Sequence, residues 1–209
     1  MASNTSAPFG FKQWSGTGSA PTYEQTAFTN GGIDYNATVI YNGDPVTRAS
    51  TTDGTLIQGV GSAGGSTITL AGIFVGCKYL STSISRTVWS NYWPGGSPVS
   101  SGNQSTIEAY VINDPNAQFL AQADSTGVTQ ANVGSNVDFN IGTGTAVSGY
   151  GVSGAYIIHT PATGSAYPFR FLSLVLNPPG ANGTNSGAYN YCVVAFNNVE
   201  TKNLTSYTG

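Results

Sequence analysis

Charge is what this chain lacks most. Asp, Glu, Lys and Arg make up 7% of its 209 residues, against roughly 25% in an ordinary soluble domain. The six Lys and Arg are scattered, so no basic stripe forms to neutralise phosphates, and nucleic-acid binding is not expected. Cysteine occurs twice, as Cys77 and Cys192, in no CxxC pattern. Both are expected as buried free thiols, which pack as small hydrophobes; a disulfide would need an oxidising compartment. No apolar run approaches the roughly 20 residues of a membrane span. The start, MASNTSAPFGFKQW, has neither the charged region nor the apolar run of a signal peptide. The expectation is a chain made in a cytoplasm, without an export address and without a membrane partner. Helical periodicity is missing too: no segment keeps it for three turns.

With so few charges, the surface must be built from Ser, Thr, Asn, Gln and the 28 glycines. Such a surface is weakly protected against association and suits a protein held in a large assembly or outside the cell. The hydrophobic fraction, 39%, is enough for a real core, and the length fits one domain or one domain with an extension.

What is present reads as strands. Residues 36–41 (NATVIY) are β-branched and aromatic and end at the turn signal Asn42-Gly43. Residues 66–70 (STITL) and 73–79 (IFVGCKY) are apolar runs divided by Ala71-Gly72. In residues 107–112, Ile107, Ala109 and Val111 share one face and Glu108 and Tyr110 the other; residues 118–123 and 137–141 alternate likewise. Residues 168–176 and 189–196 are apolar on both faces, which places them at the centre of the core. Clusters of Gly, Pro, Asn and Ser, such as 94–98 and 178–183, punctuate the runs. Helix is limited to a short turn within 125–131. The pattern predicts an all-β fold, an antiparallel barrel or sandwich, over residues 36–209.

Residues 1–35 differ. They carry Phe9, Phe11, Trp14, Tyr23, Phe28 and Tyr35 among prolines and glycines without alternation. Loose tails are poor in aromatics, so an extended N-terminal arm that lays Phe9, Phe11 and Trp14 on a partner is the favoured reading.

Candidate sites are few. Trp89-Ser-Asn-Tyr92-Trp93 can be read as strand-end core, as a protein–protein anchor, or as a platform for stacking sugars. In Asn42-Gly-Asp44-Pro45 and Asn113-Asp114-Pro115-Asn116 the Asx side chains suit tight turns. A calcium role for Asp44 and Asp114 lacks the accompanying ligand spacing. The single histidine, His159, has no Gly-x-Ser-x-Gly elbow to serve and reads as a half-exposed strand-end residue. A carboxylate pair for glycoside hydrolysis would have to come from acids such as Asp34, Asp44, Asp53, Asp114 and Asp124, which all lie in or beside turn-like sequence. No catalytic residue, metal or cofactor is assigned.

Several segments in order resemble a family of tailed-phage capsid decoration (cement) proteins. They are Ala7-Pro-Phe-Gly-Phe11, Tyr41-Asn-Gly-Asp-Pro-Val46, residues 72–79, Tyr92-Trp-Pro-Gly95, residues 109–116, 118–125, Val133-Gly-Ser-Asn136, 169–176 and 193–198. The chain departs at Gln13, where many relatives carry a basic residue and proline. The resemblance implies a non-enzymatic virion protein with a β-tulip-like domain on the capsid exterior. Its implied partners are the major capsid protein and further copies of itself, as a trimer rather than a dimer. Phe9, Phe11, Trp14, Trp89, Tyr92 and Trp93 are the partner-binding candidates. A carbohydrate-binding module of a phage fibre, stacking sugars on residues 89–93, is the alternative.

Overall fold

The computed structural model describes residues 3–16, 25–28, 32–49, 54–61, 68–99, 101–147, 149–159, 167–177 and 183–203. Tyr23, Asp53 and residues 66–67 and 178–182 lie outside them.

The strands are β1 (Lys12–Ser15), β2 (Gln25–Phe28), β3 (Pro45–Arg48), β4 (Leu56–Gln58), β5 (Gly72–Ser81), β6 (Arg86–Ser90) and β7 (Glu108–Ile112). They continue with β8 (Gln118–Gln122), β9 (Asn136–Val137), β10 (Phe139–Val147), β11 (Tyr150–Ile157), β12 (Phe169–Leu174) and β13 (Tyr191–Phe196). Among the described residues, helix is limited to short 3-10 segments at Ser101–Thr106 and Gln130–Asn132 and one α-turn at Glu200–Asn203.

The first sheet runs β1-β8-β13-β12-β9, the second β2-β7-β5-β3-β4 with β6 also on β5, and β10-β11 form a hairpin apart. Every strand pairing is antiparallel. The sheets do not close, so the sandwich holds and the barrel does not.

Two clusters of buried side chains hold the sandwich. The larger lies under the first sheet and packs Phe11, Phe119, Phe139, Phe169 and Phe196 ring on ring. Ile73 and Ile112, opposite one another on β5 and β7, bring one end of the second sheet onto it. That sheet also sends Phe74, Cys77, Ala109 and Val111 from the other face of β5 and β7, and Leu56 from β4, into the second cluster, with Ile33, Ile40 and Trp93 from loops. Alternation thus puts both faces of one sheet to work.

The sequence reading needs corrections. Residues 36–41 form no strand. Asp34 makes an Asx turn by accepting the Asn36 amide at 2.8 Å, and the 42–43 turn follows at once, leaving a single bridge from Ile40 to Trp93. Residues 68–70 likewise contribute one bridge, Leu70 to Val199. In the segment expected to be apolar on both faces, Phe169 and Phe171 are buried but Leu172, Leu174 and Val175 are half-buried. Their face of β12 is only partly covered.

The N-terminal aromatics bring the largest revision. Residues 4–15 are a strap across the chain's own first sheet. The Asn4 side chain donates to the carbonyls of Asn185 and Ala188 and accepts the amides of Gly183 and Asn185. Gln122 accepts the Ala7 amide and donates to the Thr5 carbonyl. Gly10, at φ +75°, passes so close to Ser153 that a Cβ would fall 2.5 Å from that side chain. Phe11 then enters the core, 1% exposed and stacked on Phe169 at 4.4 Å.

Candidate functional site

Because the first sheet covers only the Ile73–Ile112 end of the second, the same face of β5 and β7 is unroofed further along. There the outward residues are Gly76 and Lys78 on β5, Glu108 and Tyr110 on β7, and Trp89 on β6. Lys78 faces Trp89 on one neighbouring strand and Glu108 on the other. Its ammonium lies 5.1 Å from the Trp89 ring centroid and pairs with the Glu108 carboxylate. Tyr110 donates its hydroxyl to Glu108 at 2.7 Å and stacks on Trp89 across Gly76, with centroids 5.4 Å apart.

The electrostatics follow from these contacts. The bonds from Lys78 and Tyr110 hold the Glu108 carboxyl below its ordinary range. Partial burial, then the bond to Glu108, pushes the Tyr110 phenol up to about 12. The patch thus pairs one basic with one acidic side chain, with Trp89 standing out of it 67% exposed. A shallow hollow of about 300 Å³ beside it is lined by Val75, Gly76, Ser90, Asn91, Trp89 and Tyr110.

The other aromatic candidates disperse. Trp93 is 0% exposed, and its indole donates to the Ala37 carbonyl at 3.4 Å. Tyr92 is half-buried and stacks on Tyr41 under the β10-β11 hairpin. Trp89, Tyr92 and Trp93 thus point to three different places and share no surface. Alternation along an irregular strand end sends consecutive side chains to opposite faces. Phe9 is half-buried with its ring edge-on to Tyr191. Phe11 and Trp93, as core residues, are closed to any partner of the folded chain. Trp14 is 52% exposed.

Three further features lie apart from these aromatics. The hairpin tip exposes Val147, Tyr150 and Val152, and no charged residue occurs between Asp138 and His159. His159 lies just past β11, half-exposed, and its Nδ1 is 2.7 Å from Asp124 Oδ2. Burial works against the Asp124 charge, but bonds from His159, Thr126 and Gly127 outweigh it and hold that carboxyl below its ordinary range. Among the described residues, the hydrogen-bond partner of the His159 ring is Asp124. Finally, Lys12 reaches Asn42 at 2.8 Å beside the fully buried Asp44.

No protein family, no curated protein and no solved structure matches the chain.

Proposed function

We propose that this chain is a virion structural protein that docks on the outer surface of a phage capsid and stabilises the shell. The observation that carries the reading is Trp89, held exposed and rigid on the unroofed end of the second sheet. Tryptophan and tyrosine are the residues most often found as interface anchors, surrounded by contacts that exclude water. Burying about 150 Å² on the Trp89–Tyr110 patch is worth roughly 4 kcal/mol at 25 cal/mol per Å². Repeated over a homo-oligomer, a trimer rather than a dimer, this gives avidity without one strong contact. The uncharged hairpin tip with Val147, Tyr150 and Val152 is the surface suited to contact between copies. The resembling segments of the sequence support the same reading, and the charge-poor surface agrees with a life in an assembly.

The carbohydrate-binding alternative is weaker. It relied on residues 89–93 as one platform, and of those rings only Trp89 is open, with one side already occupied by Tyr110.

The test is cosedimentation of purified protein with capsids that lack it. Trp89→Ala should weaken binding by roughly 10- to 100-fold, as hot-spot losses do. Binding unchanged by that substitution, or a virion that does not contain the chain, would overturn the proposal.

A further inference from the structure

The unroofed end of the second sheet has almost no unused polar group, and that limits what can cover it. The hollow of about 300 Å³ beside Trp89 is bordered by the polar side chains of Cys77, Ser90, Asn91 and Tyr110. Each already has a partner within the chain. The Cys77 thiol donates to the Tyr92 carbonyl at 3.4 Å. The Ser90 hydroxyl donates to the same carbonyl at 2.6 Å and accepts the Tyr92 amide at 3.2 Å. The Asn91 carboxamide donates to the Gly151 carbonyl at 3.3 Å and accepts the Gly151 amide at 3.0 Å. The Tyr110 hydroxyl is taken by Glu108 at 2.7 Å.

The Trp89 indole N–H is the exception, with no acceptor among the described residues. The buried Trp93 indole, by contrast, is given the Ala37 carbonyl. Charge at the patch is equally committed, because Lys78 and Glu108 pair with each other. Arg86, at the start of β6, alternates to the face opposite Trp89.

We propose that the partner segment seated on Trp89 is uncharged, fills the hollow with an apolar side chain, and accepts one hydrogen bond from the indole N–H through a carbonyl oxygen. The inference rests on the docking role given to Trp89 above and adds the chemistry of what docks there. In the free chain the N–H bonds to water. Covering the ring strips that water away, and a donor buried without an acceptor costs free energy. A carbonyl at the ring edge restores the bond, and a purely apolar cover does not. An ammonium or guanidinium would bring donors to a donor. A carboxylate would lose its water with no cation to meet it, since Lys78 is already held by Glu108. Further polar groups on the partner would find the rim of the hollow already bonded.

Cosedimentation of the full chain with capsids that lack it tests this, with position 89 varied and the salt changed. Benzothienylalanine in place of Trp89 keeps the fused ring and puts sulfur where the N–H stands. It should weaken binding roughly fivefold, the worth of one hydrogen bond, with Trp89→Ala weaker still. Wild-type affinity should change less than about twofold between roughly 50 and 500 mM sodium chloride, because no ion pair forms across the contact. Binding unchanged by benzothienylalanine, beside a loss in Trp89→Ala, would overturn the inference and leave the docking reading standing. A fall of about tenfold in wild-type affinity with salt would do the same, since it marks a charged partner. If Trp89→Ala itself binds like wild type, the docking reading falls and takes the inference with it.

Discussion

Replacing Phe11 with alanine asks whether the N-terminal strap belongs to the fold or to a partner. The ring is 1% exposed, lies nearly parallel to Phe169 at 4.4 Å, and meets Phe119 and Phe139 edge-on at 6.5 and 6.3 Å. Truncating a buried phenylalanine costs about 3–5 kcal/mol, transfer and cavity together. The upper half applies here, because rings from separate strands border the void and cannot collapse into it without moving a sheet. For a chain of this length each kcal/mol shifts the melting temperature by roughly 2–4 °C. Phe11→Ala should therefore lower Tm by about 8–20 °C, read by tryptophan fluorescence or calorimetry, with the urea midpoint falling in parallel. A loss below about 1 kcal/mol would show that the strap is undocked in solution, and the reading of residues 4–15 as core-forming would fall. Trp14→Ala, by contrast, should change stability by no more than about 0.5 kcal/mol, as exposed substitutions do.

Trp89→Ala should also leave the melting temperature within about 2 °C of wild type, since its ring is mostly in water; a large drop would mean that the patch is structural. Asp44, whose carboxyl burial raises, binds its proton more tightly folded than unfolded. Its contribution is fully present below the unfolded carboxylate range and is lost as pH rises through the raised folded value. Urea midpoints of Asp44→Asn should lack that decline, and a pH profile parallel to wild type would refute it. Asp124 works in the opposite sense, its contribution present above the unfolded value and lost as pH falls through the depressed one. Cys77 and Cys192 are buried and unpaired, with thiols pushed up to about 12. Native protein should react slowly with thiol reagents and denatured, unreduced protein at both positions; fast native labelling would contradict the burial.

The strands legible in the sequence were those whose periodicity is set by one core face. Residues 107–112 are the clearest case, with Ile107, Ala109 and Val111 buried and Glu108 and Tyr110 turned outward. The β10-β11 hairpin escaped because its glycines answer to tertiary neighbours. A Cβ at Gly144 would lie 2.2 Å from the Tyr41 ring, and one at Gly151 would lie 2.4 Å from Tyr92 Cβ. Nothing local announces that a distant tyrosine will lie against those positions. Phe11 was misjudged for a related reason. Its pocket is assembled from Phe119, Phe139 and Phe169, far along the chain, whereas its neighbours in sequence are glycine and polar residues. Of the partner-binding candidates, aromatic content alone could not separate Trp89 from Trp93, four positions apart. Strand register separates them, and register is a property of the sheet.

The scarcity of charge takes on a sharper meaning once the contacts are known. Arg48 pairs with Glu200 at 2.9 Å, 152 positions away, and so pins the segment after β13 to β3. Lys78 ties β5 to Glu108 on β7, His159 ties the end of β11 to Asp124, and Lys202 caps the end of β13 by donating to the Phe196 carbonyl at 3.0 Å. Lys12 ties the strap to Asn42 at 2.8 Å. Among the described residues these charges join one segment to another, while Arg86 and Arg170 stay exposed. Ordinary soluble domains use the opposite allocation, most of their charge facing water as colloidal protection. On the reading proposed above, docking on a surface takes the place of that protection. On that reading, the exposed Trp89 and the uncharged hairpin tip are the surfaces that the assembly would cover.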